Sequence, residues 1–410
     1  MGRKDGPGNS VDRGTATILN FEYRPNEGLP FSAHRRLRED GPVLWSDALG
    51  GWLVCSFDGV RTILSDLSRF TSEGTPIAAA AGAEAMLVTD TPLHHTLRAI
   101  WVKRVSGPAI AARKEELEGN AARVLGAARV RLAAGETVDF IPLFRRFVMA
   151  FIAASFAIPP DRLDVFRLWS QLSADTPAIE LAANSPALER HLVAKNRVLD
   201  LVREQVEDRR QRLLRGEQPD DLISLMVAAE GQPGITPAIV VDNVFNFVLG
   251  AMDTTEKWLG NIMVRLYGNP ELLAEIRADH LLIEPLLHET MRFDTVAQVI
   301  QRRVRQEDVT LSEARLKAGD QIYLMLGAAN RDPAEFENAD SFDLHRRAKL
   351  NLGFGFGFHQ CLGFNIAKQE AMAFIVVLLD ELPNLHIASC DYGNSWALWG
   401  PRALQINLPD

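Results

Sequence analysis

The hydrophobic pattern of this chain is helical over most of its length, and glycine and proline mark where the helices stop. An apolar-periodic stretch at 31–39 predicts a first helix, ended by Asp40-Gly41-Pro42. Short apolar runs at 43–45 and 52–55 flank Gly50-Gly51 and predict a β-hairpin. A helix at 58–66 follows. Residues 74–88 are rich in Ala, Gly and Pro; a helix is possible there, but the glycines weaken it and favour a surface loop. Thr91-Pro92 reads as the next helix start. Residues 109–134 hold Ala, Leu, Glu and Arg in helical proportions and end at Gly135. Residues 142–157 are almost entirely apolar, which predicts a buried helix. Amphipathic helices are expected at 160–173 and 188–214, and another at 221–230.

Thr236-Pro237 then opens the longest helical run, an N-cap residue followed by Pro at the first helical position. It continues to Tyr267 and stops at Gly268-Asn269-Pro270. At ~1.5 Å per residue it spans roughly 45 Å, about a domain diameter, so a helix this apolar must cross the centre of the protein. A helix at 286–293, strands at 298–304, 309–311 and 322–326, a helix at 364–379 and a closing hairpin at 396–408 complete the pattern. There is no internal repeat and no Pro- or Ser-rich linker. Residues 1–20 read as a flexible leader, and 21–410 as a single domain.

Composition narrows the classes. The hydrophobic content is 47% and the charged content 24%, ordinary for a globular chain of 410 residues. A net charge of −9 gives no reason to expect nucleic acid as a partner. The longest apolar run, 147–159, is too short for a bilayer, which takes ~20 residues. The polar, Gly-rich start lacks an apolar signal core, so a cytoplasmic protein away from membranes is expected. Three cysteines, Cys55, Cys361 and Cys390, are too few and too far apart for a disulfide framework or a zinc site.

Cys361 stands out. It lies in Phe354-Gly355-Phe356-Gly357-Phe358-His359-Gln360-Cys361-Leu362-Gly363, just before a helix. Glycines let backbone approach a flat ligand. Sulfur before a helix N-terminus meets unpaired N–H groups and the positive end of the dipole, which favour thiolate. An anionic sulfur in such a loop suits a haem iron as an electron-donating axial ligand. An isolated cysteine would instead read as a small buried hydrophobe. Elsewhere, His94 and Arg98 are four apart and share a helical face. In the middle of the long helix, Gly250-Ala251 keep one face flat just before Asp253-Thr254. A threonine hydroxyl bonding back to a carbonyl can open the helical ladder and leave room for water. Glu289 and Arg292, three apart, can pair.

Together these segments resemble the cytochrome P450 family. Phe354, Gly357, His359, Cys361 and Gly363 match its haem-binding loop. Asp90-Thr91-Pro92-Leu93-His94-His95-Thr96-Leu97-Arg98 matches its propionate-binding helix start. Leu249 to Thr255 matches its oxygen-activation motif, with Gly250-Ala251 in place of the usual Ala/Gly-Gly order. Glu289 to Arg292 matches its structural Glu-x-x-Arg, although Asp294-Thr295-Val296-Ala297 stands where a Pro usually follows.

The resemblance implies a mainly α fold with a small β-rich region and a haem buried between the long helix and the Cys361 loop. It implies haem b (iron protoporphyrin IX) ligated by Cys361, with His94, Arg98, Arg303 and His359 on the propionates and Phe354 and Gly363 shaping the loop. It gives Asp253 the proton-relay position and Thr254 the alcohol that holds water. It places Asn246, Phe247, Ala251, Gln298, Val299, Ala397 and Leu398 around the substrate. The activity implied is a monooxygenase acting on O2 and a small, largely apolar, plausibly aromatic substrate. Electrons would come from NAD(P)H through a ferredoxin and its reductase. Lys103, Arg104, Arg346, Arg347, Lys349 and Lys368 are candidates for a basic docking patch. A peroxide-using haem-thiolate enzyme or dehydratase, and a non-catalytic haem-binding ligand sensor, are the other classes; the Asp253-Thr254 pair counts against the first.

Overall fold

The computed structural model describes residues 31–47, 49–77, 82, 84–159, 162, 165, 186–347, 350–393 and 397–409. The helix expected at 160–173 therefore lies almost wholly outside the described residues, as do the leader and Lys349. The helices are α1 (Phe31–Asp40), α2 (Phe57–Ser65), α3 (Leu93–Val102), α4 (Gly107–Ala111), α5 (Lys114–Ala133), α6 (Ile141–Phe156), α7 (Pro186–Leu214), α8 (Leu222–Ala228), α9 (Pro237–Tyr267), α10 (Pro270–Ala278), α11 (Ile283–Phe293), α12 (Leu326–Ala329) and α13 (Phe364–Glu381).

The strands are β1 (Val43–Ser46), β2 (Gly51–Val54), β3 (Phe70–Thr71), β4 (Val138–Asp139), β5 (Ile300–Val304), β6 (Val309–Leu311), β7 (Ala314–Leu316), β8 (Gln321–Leu324), β9 (His386–Asp391) and β10 (Ala403–Asn407). One sheet runs β1-β2-β8-β5-β3, a second β4-β10-β9, and β6 and β7 form a ribbon. Among the described strands only the β2–β8 pair is parallel.

The long helix forms as its sequence predicts. Thr236 Oγ1 accepts from the Ile239 N–H at 3.3 Å, and Pro237 occupies the first turn. Inside α9, Val240, Val244, Val248, Leu259, Ile262, Met263 and Leu266 are fully enclosed in the main core. That core also takes Phe144, Phe147 and Phe151 from α6 and Phe374, Ile375 and Leu378 from α13. α3 begins one residue later than expected. Pro92 occupies the N-cap position, and no side chain caps the helix.

One expectation is corrected. Residues 396–408 do not form a hairpin of their own. Only β10 is a strand there, and it pairs with β9 and β4. Ala397 and Leu398 instead zip onto the segment after α11: Gln298 N–H donates to Ala397 O at 2.9 Å, and Trp399 N–H to Val296 O at 2.7 Å. β9 escaped notice because its burial does not alternate strictly, so its sequence lacks a two-residue period. The missing Pro after α11 is replaced by polar pins. Arg265 of α9 grips the Asp294 carboxylate at 2.5 and 2.7 Å, and Asn261 donates to Asp294 O at 3.1 Å. Asn330 donates to Thr295 Oγ1 at 2.8 Å.

Candidate active site

The Cys361 loop is built by backbone. Gly355 and Gly357 both have φ near +69°, a left-handed conformation that side chains resist. A Cβ on Gly357 would also stand 2.6 Å from Leu64 O. Two turns of chain thereby fold back so that Cys361 N–H donates to Phe354 O at 2.8 Å. Phe354 is locked edge-on against Phe364, with centroids 4.9 Å apart. The Cys361 side chain is exposed, although the fold surrounds it. Burial pushes its thiol up; the backbone N–H groups of Gly363 and Phe364 and the Arg98 guanidinium pull the other way without reversing the shift. The donors expected of a helix N-terminus are present, but in this state burial outweighs them. Cys55 and Cys390 behave as inert thiols, both pushed up to about 12 by burial.

A cluster of titratable groups adjoins the loop. Arg98 Nη1 donates to Gln360 O at 2.8 Å, which ties α3 to the residue before the cysteine. His94, on the same face, lies 4.3 Å ring to ring from His359. His359 Nε2 is 3.4 Å from Asp90 Oδ1 and 3.3 Å from Ser72 Oγ. Burial alone would raise Asp90, but bonds from His359 and Thr71 and the Arg305 charge hold it below the ordinary carboxylate range. Arg305 Nη2 reaches Asp90 Oδ2 at 2.5 Å. Burial and the charges of His359 and Arg98 lower His94 to about 3, so it is neutral.

Arg303, the expected propionate residue, and its neighbour Arg302 differ in burial and bonding. Arg303 Nε donates to Gly319 O at 3.1 Å, and its guanidinium lies beside Gly74. Arg302 is the buried one, 6% exposed, and its charge acts on both Asp90 and His359. Burial lowers Arg302 to about 10, with Asp90 opposing. Sequence reasoning missed Arg302, Arg305 and Asp90. Asp90 lay within the matched motif, but nothing local told which partners it would meet.

Two buried nitrogens in this cluster have no hydrogen-bond partner: His94 Nδ1 and Arg302 Nε. Unsatisfied buried polar atoms are costly. Beside an open thiol they suit a flat group that carries carboxylates and binds sulfur. Among the described residues no cluster of three or more His, Cys, Asp or Glu could hold a metal by itself. The Gly-rich loop ahead of a helix makes Cys361 the candidate iron ligand. The residues present fit haem.

The other half of the site lies on α9. This helix is buried along most of its length, yet Asn246, Phe247, Gly250, Ala251 and Thr254 keep accessible surface at helical spacing. A Cβ on Gly250 would meet nothing within 4 Å, so this stripe borders open space. Thr254 Oγ1 donates to Gly250 O at 2.8 Å, the backward bond expected from sequence. Asp253 is buried. One turn further, Trp258 packs edge-on against Phe354 at 5.4 Å and joins α9 to the Cys361 loop.

The predicted wall residues, inside this stripe and outside it, also make contacts within the fold. Asn246 Nδ2 is spent on Asp242 O at 2.7 Å in its own helix. Phe247 is wedged against Trp101 and Phe156 at 4.9 and 5.3 Å. Gln298 is buried with its amide bonded to Thr295 O and turned onto Gly327 and His34 of α1. Val299 packs with the small core around Leu37, Leu53 and Trp399. Ala397 and Leu398 stay half-buried.

The basic patch is also reduced. Arg346 turns inward to Glu289 at 3.2 Å and to carbonyls of Glu337, Asn338 and Ser341. Lys368 pairs with Glu284 at 2.6 Å, and Arg104 pairs with Asp220. Lys103 and Arg347 remain exposed.

Comparison with known proteins agrees with this geometry. The cytochrome P450 family model matches residues 164–383. Cytochrome P450 105C1 of a Streptomyces species is 30% identical over 91% of this chain and 93% of its own. The cyclomarin C epoxidase of Salinispora arenicola is 29% identical over 91% and 94%. The fold matches that of CYP109E1 from Bacillus megaterium, solved with testosterone, at a TM-score of 0.84 and 23% identity, covering 93% of this chain and 98% of that one. No described helix is long and apolar enough to cross a membrane. The chain belongs to the cytochrome P450 family and is one of its monooxygenases.

Proposed function

We propose that this enzyme inserts one atom of O2 into a compact, largely apolar organic substrate, using haem b and electrons passed from NAD(P)H through a reductase and a ferredoxin. The observation that carries this reading is the pairing of two features. An open Cys361 thiol is met by the N–H groups of Gly363 and Phe364, and the accessible Gly250–Ala251–Thr254 stripe lies on a helix joined to that loop. Bound haem would supply the activation of O2. The chain's own residues do the rest. Cys361 would hold the iron as thiolate. His94, His359, Arg98 and Arg302, with Arg303 nearby, would hold the propionates. Thr254 keeps its hydroxyl bonded to Gly250 O and positions a water at the opened ladder. Asp253 carries the proton toward it. Ala251, Leu398 and Ala397 give the substrate apolar wall, with Asn246 as the polar contact. Exposed Lys103 and Arg347 suit an acidic donor, and the reaction is assigned to the cytoplasm.

The test is turnover with a ferredoxin and its reductase under 18O2, on the compound that gives the largest haem spin-state shift. One labelled oxygen should enter the product. Thr254→Ala should keep haem and substrate binding while diverting most electrons to hydrogen peroxide. Product without label, or unchanged coupling in Thr254→Ala, would refute the assignment.

A further inference from the structure

Just past Thr254, α9 carries Thr255-Glu256-Lys257, all buried. Glu256 is gripped from α6: Arg145 Nε and Nη2 donate to its two oxygens at 2.7 and 2.9 Å. The pair leans outward. The Arg145 side chain is 15% exposed and the Glu256 side chain 6%. Glu256 stands three residues after Asp253, on the same helical face. A bidentate arginine ordinarily keeps a carboxylate ionised and low. Here burial wins, Arg145 opposes it, and the Asp253 charge adds to the rise, so Glu256 titrates at about 7. The charged groups acting on it are Arg145 from α6 and Asp253 and Lys257 from α9. Lys257 donates to Gly400 O at 3.5 Å, and Glu370 of α13 bonds Thr255 instead.

We propose that Glu256 is a second proton carrier of this enzyme, reloading Asp253 from the solvent end marked by Arg145. The step moves a proton only. The Glu256 O–H bond breaks, the Asp253 carboxylate gains the proton, and the Glu256 carboxylate left behind is neutralised by Arg145. Water at the Arg145 end then restores the proton on Glu256. The arrangement meets both needs of a relay: an acid that is part-protonated at neutral pH and a cation that stabilises its other form. This inference rests on the role given above to Asp253 and Thr254.

Two readouts test it on the haem-loaded enzyme. Infrared spectra of the resting protein, titrated across neutrality, should show one carboxylic-acid band that fades with a midpoint of about 7. Glu256→Gln should lack that band. In reconstituted turnover on the compound selected by spin-state shift, wild-type coupling should fall as pH rises through that midpoint. Glu256→Gln should be slower by about ten-fold and flat with pH, and Glu256→Asp should regain part of the slope. Should Glu256→Gln fold poorly, the paired replacement of Arg145 and Glu256 by Met leaves no unpaired charge and should give the same flat profile. A Glu256→Gln enzyme that keeps the band or the wild-type pH profile overturns the proposal. A wild type that never couples electrons to product sinks the monooxygenase reading itself.

Discussion

Two clusters of buried charge in this fold look alike in sequence and differ in how completely they are bonded. Around Arg292 the partners are all in place. Its guanidinium holds Glu289 at 2.8 and 2.7 Å and donates to Asn330 O, Ala339 O and Ser341 O. Glu289 also takes the Asp343 N–H and Arg346. Around His359 the inventory does not close. Asp90 is saturated by Thr71, Arg305 and His359, while His94 Nδ1 and Arg302 Nε have nothing to bond. A buried donor without an acceptor costs free energy that the first cluster never incurs. The first cluster is finished by the chain itself and is structural. The second is left open by the chain, and under the proposed function the two carboxylates of haem would complete it.

The largest effect should come from breaking the finished cluster. Arg292→Leu leaves the Glu289 carboxylate buried with Arg346 as its remaining charged partner and the Asp343 N–H. Removing one partner of a buried pair costs roughly 3–5 kcal/mol. That is a large share of a domain's net stability. The variant should lose its cooperative thermal transition or yield little soluble protein. A variant with wild-type melting and haem content would show that the network is dispensable.

The unfinished cluster should respond the other way. Arg302→Leu removes a buried donor that lacks a partner, so the haem-free protein should melt at or slightly above the wild-type temperature. The haem-loaded protein should release haem faster, on the order of ten-fold or more, because a charge-assisted hydrogen bond of about 1.5–3 kcal/mol is lost. Arg303→Leu should affect release less, since Arg303 already spends Nε on Gly319 O. Measuring haem transfer to an acceptor protein for both variants decides which arginine holds the cofactor. Faster release from Arg303→Leu than from Arg302→Leu would support the assignment read from sequence.

That pair shows where sequence stops being informative. Neighbouring residues on a strand point to opposite faces, so one step of register exchanges a buried arginine for a half-exposed one. Nothing within Gln301-Arg302-Arg303-Val304 says which face meets His359. The Cys361 loop was legible because its constraints are local: left-handed glycines, a cysteine, a helix start. α9 was legible for the same reason, with Thr236-Pro237 at one end and Gly268 at the other. Arg346 was misjudged as surface charge because its partner, Glu289, is 57 residues away. The same distance problem hid Arg145 from Glu256, 111 residues apart. Contacts of this kind exist only once the chain has folded.

The smallest expected effect separates ligand-completed donors from merely uncomfortable ones. His34 on α1 is also buried with an unpartnered Nδ1, but it lies against Gly327 and Gln298, away from the Cys361 loop. Burial, helped by the charges of Arg331 and Arg38, lowers it from 6.5 to about 3. Between those values the unfolded chain binds the proton and the folded chain does not. Stability from this group therefore rises with pH across that window and is lost as pH falls from about 6.5 toward about 3. The slope from one such group is at most about 1.4 kcal/mol per pH unit. His34→Leu should flatten it by that amount and leave stability near pH 8 little changed. His34 is not among the residues proposed to meet the propionates, so the flattening should be equal in haem-free and haem-loaded protein. Denaturant melts of both forms at several pH values measure it. A flattening seen only in the haem-free form would place His34 with the ligand-completed cluster, and no flattening in either would refute the depressed value.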